Sequence, residues 1–201
     1  MTSSELEFWF DFASPYAYVS AGRLEDWMNS AGISVRWMPF LLGPVFKKHD
    51  WPTSPFNLYP LKGRYMWRDV ERLCKRHNLG FNRPEEFPQH SLLATRVAMA
   101  GRDEDWMPAF CRQVFHTEFG MGQNISDKRT VLNVLDGLVD NPATWLRRAV
   151  TVKNKKALVE RGAEAERKGI FGAPTFITPD GELFWGDDRL EQAIEWVMRR
   201  R

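Results

Sequence analysis

The sequence predicts an α/β fold whose two halves are separated by a block of helices, and three observations predict it. An aromatic run rich in strand formers, Glu7-Phe8-Trp9-Phe10-Asp11-Phe12, leads into a helix start at Ser14-Pro15 and then into the alternating stretch Ile33-Ser34-Val35-Arg36-Trp37-Met38. From Lys62 to Lys168 the apolar residues recur at helical spacing only. Strand character returns late, at Pro174–Thr178 and Glu182–Trp185, with the turn residues Pro179-Asp180-Gly181 between them.

Taken in order, the first strand is expected over Glu5–Asp11. Ser14 is a preferred N-cap residue and Pro15 suits the first helical position, so a helix begins there and runs to Ala31, where Gly32 stops it. Tyr16, Val19, Leu24, Trp27, Met28 and Ala31 mark its apolar face. The second strand, Ile33–Met38, ends at Pro39. Leu41–Pro60 has no clean period and holds Pro44, Pro52, Pro55 and Pro60, so it reads as a long, partly ordered loop of the kind that often carries function. Helices follow over Lys62–Leu79, Gln89–Ala100, Glu104–Phe119 and Lys128–Leu138, the last capped by Ser126-Asp127. Asn141-Pro142 opens a further helix or two, running to about Lys168 and broken or bent near Asn154. After the hairpin, Asp187 or Asp188 caps a last helix, Arg189–Arg199.

A chain of 201 residues buries a substantial core, and its apolar and charged fractions are those of a globular protein. A net charge of +2 is too balanced for a nucleic-acid partner. No stretch is long and apolar enough to span a membrane, and Met1–Glu7 has neither the basic nor the apolar segment of a signal peptide. Cys74 and Cys111 each fall on an apolar helix face and form no C-x-x-C pair. They read as reduced core thiols, and a cytoplasmic location is the expectation. The four histidines show no ligand spacing, so no metal is expected. His77 reads as a core histidine.

Three short motifs remain. Ser14 stands where a strand meets a helix, and the first turn of a helix has unpaired N–H groups that favour an anion or a thiolate. From these residues alone a plain helix cap is the more economical reading. Gly172-Ala173-Pro174-Thr175-Phe176 places a proline just before a strand, and Trp185-Gly186-Asp187-Asp188-Arg189 places two carboxylates at another helix start.

Together, Phe10-Asp11-Phe12-x-Ser14-Pro15-Tyr16-x-Tyr18, Gly172–Phe176 and Phe184–Leu190 resemble the 2-hydroxychromene-2-carboxylate isomerases, close relatives of the kappa-class glutathione transferases. Pro60-x-Lys62-Gly63-Arg64-Tyr65-Met66 and Phe87-Pro88 also match that pattern. The resemblance implies a thioredoxin-like fold with an inserted all-helical domain, related to the bacterial disulfide oxidoreductase DsbA. Residues 1–40 and 165–201 would form the discontinuous thioredoxin-like domain, and 41–164 the insertion. Redox relatives carry C-x-x-C at the first helix start; here Ser14-Pro15-Tyr16-Ala17 stands there, so dithiol exchange is not available, while a thiol can still come from outside, as the glutathione that the resemblance implies.

The resemblance also supplies roles. Ser14 would hydrogen-bond the glutathione sulfur. A free thiol of pKa ~8.5 is only a few per cent ionised at pH 7, and lowering it by about two units takes roughly 2.7 kcal/mol. Ala173 would pair its main chain with the cysteinyl unit, and Pro174 would be cis. Trp185, Gly186, Asp187 and Asp188 would hold the γ-glutamyl end. Lys47 or Lys48, with Lys62, suits a carboxylate-bearing substrate or the glycyl end of glutathione. Thr53, Asn57 and His90 complete the substrate-side positions, although the related transferases place an Asn where Thr53 or Ser54 stands, and the family usually shows an Asn where this chain has His90. The implied activity is isomerisation of a small aromatic carboxylic acid in aromatic hydrocarbon catabolism, and a homodimer is compatible with it. A transferase that keeps its adduct, or a binding module without catalysis, are the alternatives.

Overall fold

The computed structural model describes residues 5–199; Met1–Ser4, part of the stretch read above for leader signals, lie outside the described residues. The first strand, β1 (Glu5–Phe10), runs into helix α1 (Pro15–Ala31) and then β2 (Ser34–Pro39), which pairs parallel to β1. A helical stretch follows: α2 (Leu42–Lys48), α3 (Pro55–Leu58), α4 (Pro60–Arg76), α5 (Leu92–Ala100), α6 (Met107–Phe115), a π-helical turn (His116–Gly120), α7 (Lys128–Asp136), α8 (Pro142–Ala149) and α9 (Val152–Arg167). The chain then returns to the sheet with β3 (Thr175–Ile177), antiparallel to β1, and β4 (Leu183–Trp185). A 3₁₀ turn (Asp187–Arg189) leads into α10 (Leu190–Arg199). The sheet order is β2-β1-β3-β4. The α/β layout with a helical insertion is the one the sequence predicts.

The aromatic run of β1 is explained by its central place. Leu6, Phe8 and Phe10 face one core, while Trp9 faces a second with Met38, Phe40, Ala165, Ile170 and Ile177. A strand covered on both faces reads as a continuous apolar run. Phe10 and Phe12 lie 5.6 and 5.0 Å, ring to ring, from Phe115 of α6, so the inserted helices pack directly on the end of β1 and the turn that leads to Ser14. Glu7 is the polar exception within the run. Burial alone would raise its pKa, but the Trp9 indole, Lys168 and Arg36 outweigh that and hold it below the usual range.

Four local expectations need correction. Leu41–Pro60 is not a loop but carries α2 and α3. Pro44 and Pro55 sit in first turns, where a missing N–H costs nothing, and Ser54 caps α3 by accepting from the Phe56 N–H. The helical stretch 142–168 breaks at Val150-Thr151, with Thr151 as the cap of α9, and not at Asn154. Asn154 is buried inside α9, and its amide donates to Ala149 O and Arg96 O, satisfying the end of α8. His77 is the C-cap residue of α4, only half buried, and not a core residue; partial burial and the Arg23 charge lower its pKa. Pro39 belongs to β2, which is an edge strand and tolerates it. Among the described residues no helix is long and apolar enough to cross a membrane, and no cluster of metal-ligating side chains occurs.

Candidate active site

Ser14 caps α1. Its backbone is extended (φ −97°, ψ 111°), and its side-chain oxygen accepts from the Ala17 N–H at 3.3 Å. Its own N–H donates to Asp11 O at 3.0 Å. The hydroxyl proton goes elsewhere: Ser14 Oγ donates to Ala173 O at 2.9 Å, joining residues from opposite ends of the chain. The Ala173–Pro174 peptide is cis, as expected, and so is Phe87–Pro88. Pro174 O accepts from the Gly186 N–H at 2.9 Å, so Ser14, Ala173, Pro174 and Gly186 form one hydrogen-bonded chain across the carboxyl end of β1 and the start of β3.

Trp185 and Phe171 flank this chain. Each is 51% exposed, and their rings lie 4.9 Å apart. Gly172 between them is bare because a Cβ there would run into the Trp185 indole.

The two adjacent carboxylates divide. Asp187 is buried and points inward: it accepts from Ser20 Oγ at 2.8 Å and from Arg23 Nη1 at 3.1 Å, while Arg23 Nη2 also pairs with Glu191. Burial raises the Asp187 carboxyl, and Arg23 and Ser20 pull against it. Asp188 is exposed, within 3.1 Å of Arg189 Nη1. Asp187 therefore anchors the Gly186 loop onto α1, while Asp188 lies at the surface beside Arg189.

Of the positions expected to meet substrate, Asn57 donates to Phe87 O at 2.8 Å and to Thr53 Oγ1 at 3.3 Å, so it braces the segment leading to His90. Lys62 Nζ lies over the Tyr59 ring, 5.0 Å from its centre. Lys47 is exposed on α2, and neighbouring Lys48 pairs with Glu166. The hydrogen bonds bring Ser14, Ala173, Pro174 and Gly186 together; they do not extend to Lys47 or Lys62.

Several residues escape a reading of the sequence. Asp11 is buried at the end of β1 and accepts from the Leu42 N–H at 2.7 Å, from Ser91 Oγ at 2.6 Å and from the Ala13 N–H at 3.0 Å. One carboxylate thus ties the Ser14 loop to the starts of α2, which carries Lys47, and of α5, next to His90. Burial raises its pKa, and the three hydrogen bonds and the His90 charge oppose that. Glu118, in the π-helical turn, is fully buried, and neither of its oxygens has a hydrogen-bond partner among the described residues. Burial and the nearby Asp11 push its pKa well up, which favours the neutral acid. A signal for it exists: Glu118 lies four residues after Val114, on the apolar face. Tyr16, two residues after Ser14, donates to Asp69 at 3.1 Å; burial and that carboxylate raise its pKa.

A cavity of about 260 Å³ lies further along α1, lined by Tyr18, Gly22, Leu79, Gly80, Arg112 and His116. It does not include Ser14, where the chemistry-bearing groups converge, so volume is the poorer guide here.

Residues 5–195 match the DSBA-like thioredoxin domain. The chain belongs to that family. Its fold is accordingly the thioredoxin-like DsbA fold with a helical insertion. A 2-hydroxychromene-2-carboxylate isomerase of Sphingobium xenophagum is 24% identical, with 92% of this chain and 94% of that protein covered. Glutathione S-transferase kappa 1 of Caenorhabditis elegans is also 24% identical, over 92% and 86% of the two chains. A solved 2-hydroxychromene-2-carboxylate isomerase superposes with a TM-score of 0.87 at 22% identity, covering 98% of this chain and 95% of the other. These relatives are isomerases and glutathione transferases, which supports an enzymatic role within this DSBA-like family.

Proposed function

We propose that this protein is a glutathione-dependent isomerase interconverting 2-hydroxychromene-2-carboxylate and trans-o-hydroxybenzylidenepyruvate. The observation that carries the reading is the Ser14–Ala173 hydrogen bond: a hydroxyl at a helix start meets the residue before a cis-proline, in a chain with no cysteine at that helix start. The protein's own thiols are unsuited. Cys74 and Cys111 are both buried, and burial pushes Cys74 up to about 12 and Cys111 well up. The reacting thiol is therefore external, and the transferase relatives support glutathione as that thiol.

The residues present fit that molecule. The Ala173 carbonyl has a second lone pair for a ligand N–H. Ser14 supplies a hydroxyl donor beside the positive end of α1. Exposed Asp188 supplies a carboxylate for an ammonium group. Glutathione, when bound, supplies a thiolate that adds reversibly to the conjugated C=C of the ring-opened substrate, allowing rotation before it leaves. The protein's part is to hold the sulfur ionised through Ser14 and the α1 N-terminus. Trp185 and Phe171 offer apolar surface next to the thiol site for a planar ring. The substrate carboxylate is assigned to the Lys47 and Lys62 side.

The test is the purified protein with 2-hydroxychromene-2-carboxylate, followed by absorbance with and without glutathione. Equilibration of the two isomers only when glutathione is present supports the reading. Conversion without glutathione, or none with it, overturns it, and accumulation of a glutathione adduct identifies a transferase instead.

A further inference from the structure

The cavity along α1 has a chemistry of its own, and none of the residues placed in the thiol site lines it. Its floor is apolar. Phe115 and Ala21 are buried, and half-buried Leu79 lies against α1 at Gly22, where a Cβ would meet the Leu79 methyl at 2.6 Å. Its rim is cationic. Arg112 and His116 stand four residues apart, on one face of α6 and the π-helical turn that continues it. The His116 ring is seated against two glycines: a Cβ on Gly120 would run into it, and one on Gly80 would stand 3.4 Å from its Cε1. Tyr18 secures the Gly80 side of the wall by donating its hydroxyl to Gly80 O at 2.6 Å. The rim cations have spare capacity. Among the described residues the His116 ring makes no hydrogen bond, and Arg112 pairs only with Glu25, 3.6 Å from its Nε. The Glu25 carboxylate is 60% exposed, so that pair is weak and leaves both terminal nitrogens of Arg112 open.

We propose that this cavity is a second binding site, separate from the thiol site, for a one-ring aromatic monocarboxylate. The ring packs on Phe115, Ala21 and Leu79, and the carboxylate takes the Arg112 fork, whose paired N–H groups match two oxygens side by side. His116 adds a ring N–H, and Asn78, exposed at the mouth, adds amide donors. Size follows from the volume: ligand pockets usually span about 300–1,000 Å³, so 260 Å³ stands at the small end and suits a single ring. The floor decides among anions. An inorganic anion gains nothing from Phe115 and Leu79, whereas a ring buries apolar surface against them. The π-helical turn that carries His116 is a local irregularity of the kind often found where a helix serves a ligand. Binding is non-covalent, and the inference stands whether or not the thiol site takes glutathione.

The experiment is an amide NMR titration of the full chain with benzoate, with benzamide as its uncharged isostere and with inorganic phosphate. Benzoate is expected to bind saturably and to shift the amides of Ala21, Gly22, Leu79, Gly80 and Phe115. Benzamide is expected to bind about ten-fold more weakly or less, because it forgoes the charge-assisted pair. Two variants should move benzoate affinity in opposite directions, which a general loss of structure would not do. Arg112→Gln is expected to weaken it by about ten-fold or more, and Glu25→Gln, which frees Arg112, to tighten it about two- to five-fold. Equal affinities for benzoate and benzamide overturn the proposal, as does the absence of saturable shifts. Phosphate that binds as tightly as benzoate at the same amides overturns the ring class. Benzoate shifts confined to Ser14, Ala173 and Trp185 place the acid in the thiol site and overturn a second one. If Arg112→Gln does not fold, the benzoate–benzamide comparison and Glu25→Gln decide.

Discussion

Asp11→Ala removes the acceptor that joins β1, α2, α5 and the Ser14 loop. Three donors lose their partner: the Leu42 N–H, the Ala13 N–H and the Ser91 hydroxyl. The hydroxyl can rotate to another acceptor, but the two backbone N–H groups are fixed. Each buried donor left unpaired costs about 1–3 kcal/mol, so the gross loss is about 2–6 kcal/mol. Part is returned, because the buried carboxylate itself is disfavoured by desolvation, as its raised pKa records. A net destabilisation of about 2–4 kcal/mol is expected, with Asp11→Asn losing less because it keeps a carbonyl acceptor. Urea unfolding followed by tryptophan fluorescence measures it. A loss below about 0.5 kcal/mol in Asp11→Ala would refute the view that this carboxylate ties the site together.

Glu118→Gln addresses the buried acid whose pKa is pushed up. Above about pH 4.3 the unfolded chain loses the Glu118 proton while the folded protein keeps it, so wild-type stability falls with rising pH by about 1.4 kcal/mol per unit until the folded group ionises. Glu118→Gln is expected to remove that slope and to be the more stable protein at neutral pH; an unchanged slope would show that Glu118 is ionised in the fold. Replacing both Cys74 and Cys111 with Ala is expected to leave glutathione-dependent turnover nearly intact, and lost turnover in a folded double variant would place the reacting thiol in the protein. The two neighbouring carboxylates are expected to separate cleanly. Asp187→Ala strips Arg23 of a buried partner and should cost roughly 3 kcal/mol. Asp188→Ala should change stability by no more than about 0.5 kcal/mol while weakening glutathione binding, as denaturation and calorimetry would show.

The frame of this molecule is legible in its residues because its signals are local. Ser14, Pro15 and Gly32 bracket α1 as cap, first helical residue and left-handed stop, and Gly32 has φ 61° as that role requires. The hairpin at 175–185 follows from Pro179-Asp180-Gly181 between two apolar runs. Leu41–Pro60 misleads because proline is a helix breaker in the interior but a helix former in the first turn, and the spacing alone does not tell the two apart. The site is half legible. Its motifs locate Ser14, Ala173 and Gly186, which the fold joins by hydrogen bonds. Which of Asp187 and Asp188 is buried depends on Arg23, 164 positions from Asp187, and no local pattern reveals that pairing. Asp11 is hidden for the same reason, since its partners Leu42 and Ser91 belong to distant segments.

The account turns on whether Ser14 activates an external thiol. Thiolate absorbance of bound glutathione, titrated against pH in wild type and in Ser14→Ala, tests that claim most directly. Wild type is expected to lower the thiol from its free value of about 8.5, and losing one charge-assisted hydrogen bond, worth about 1.5–3 kcal/mol, should move the Ser14→Ala curve up by about one to two pH units. Two curves that overlay would make Ser14 a helix cap alone and contradict the account.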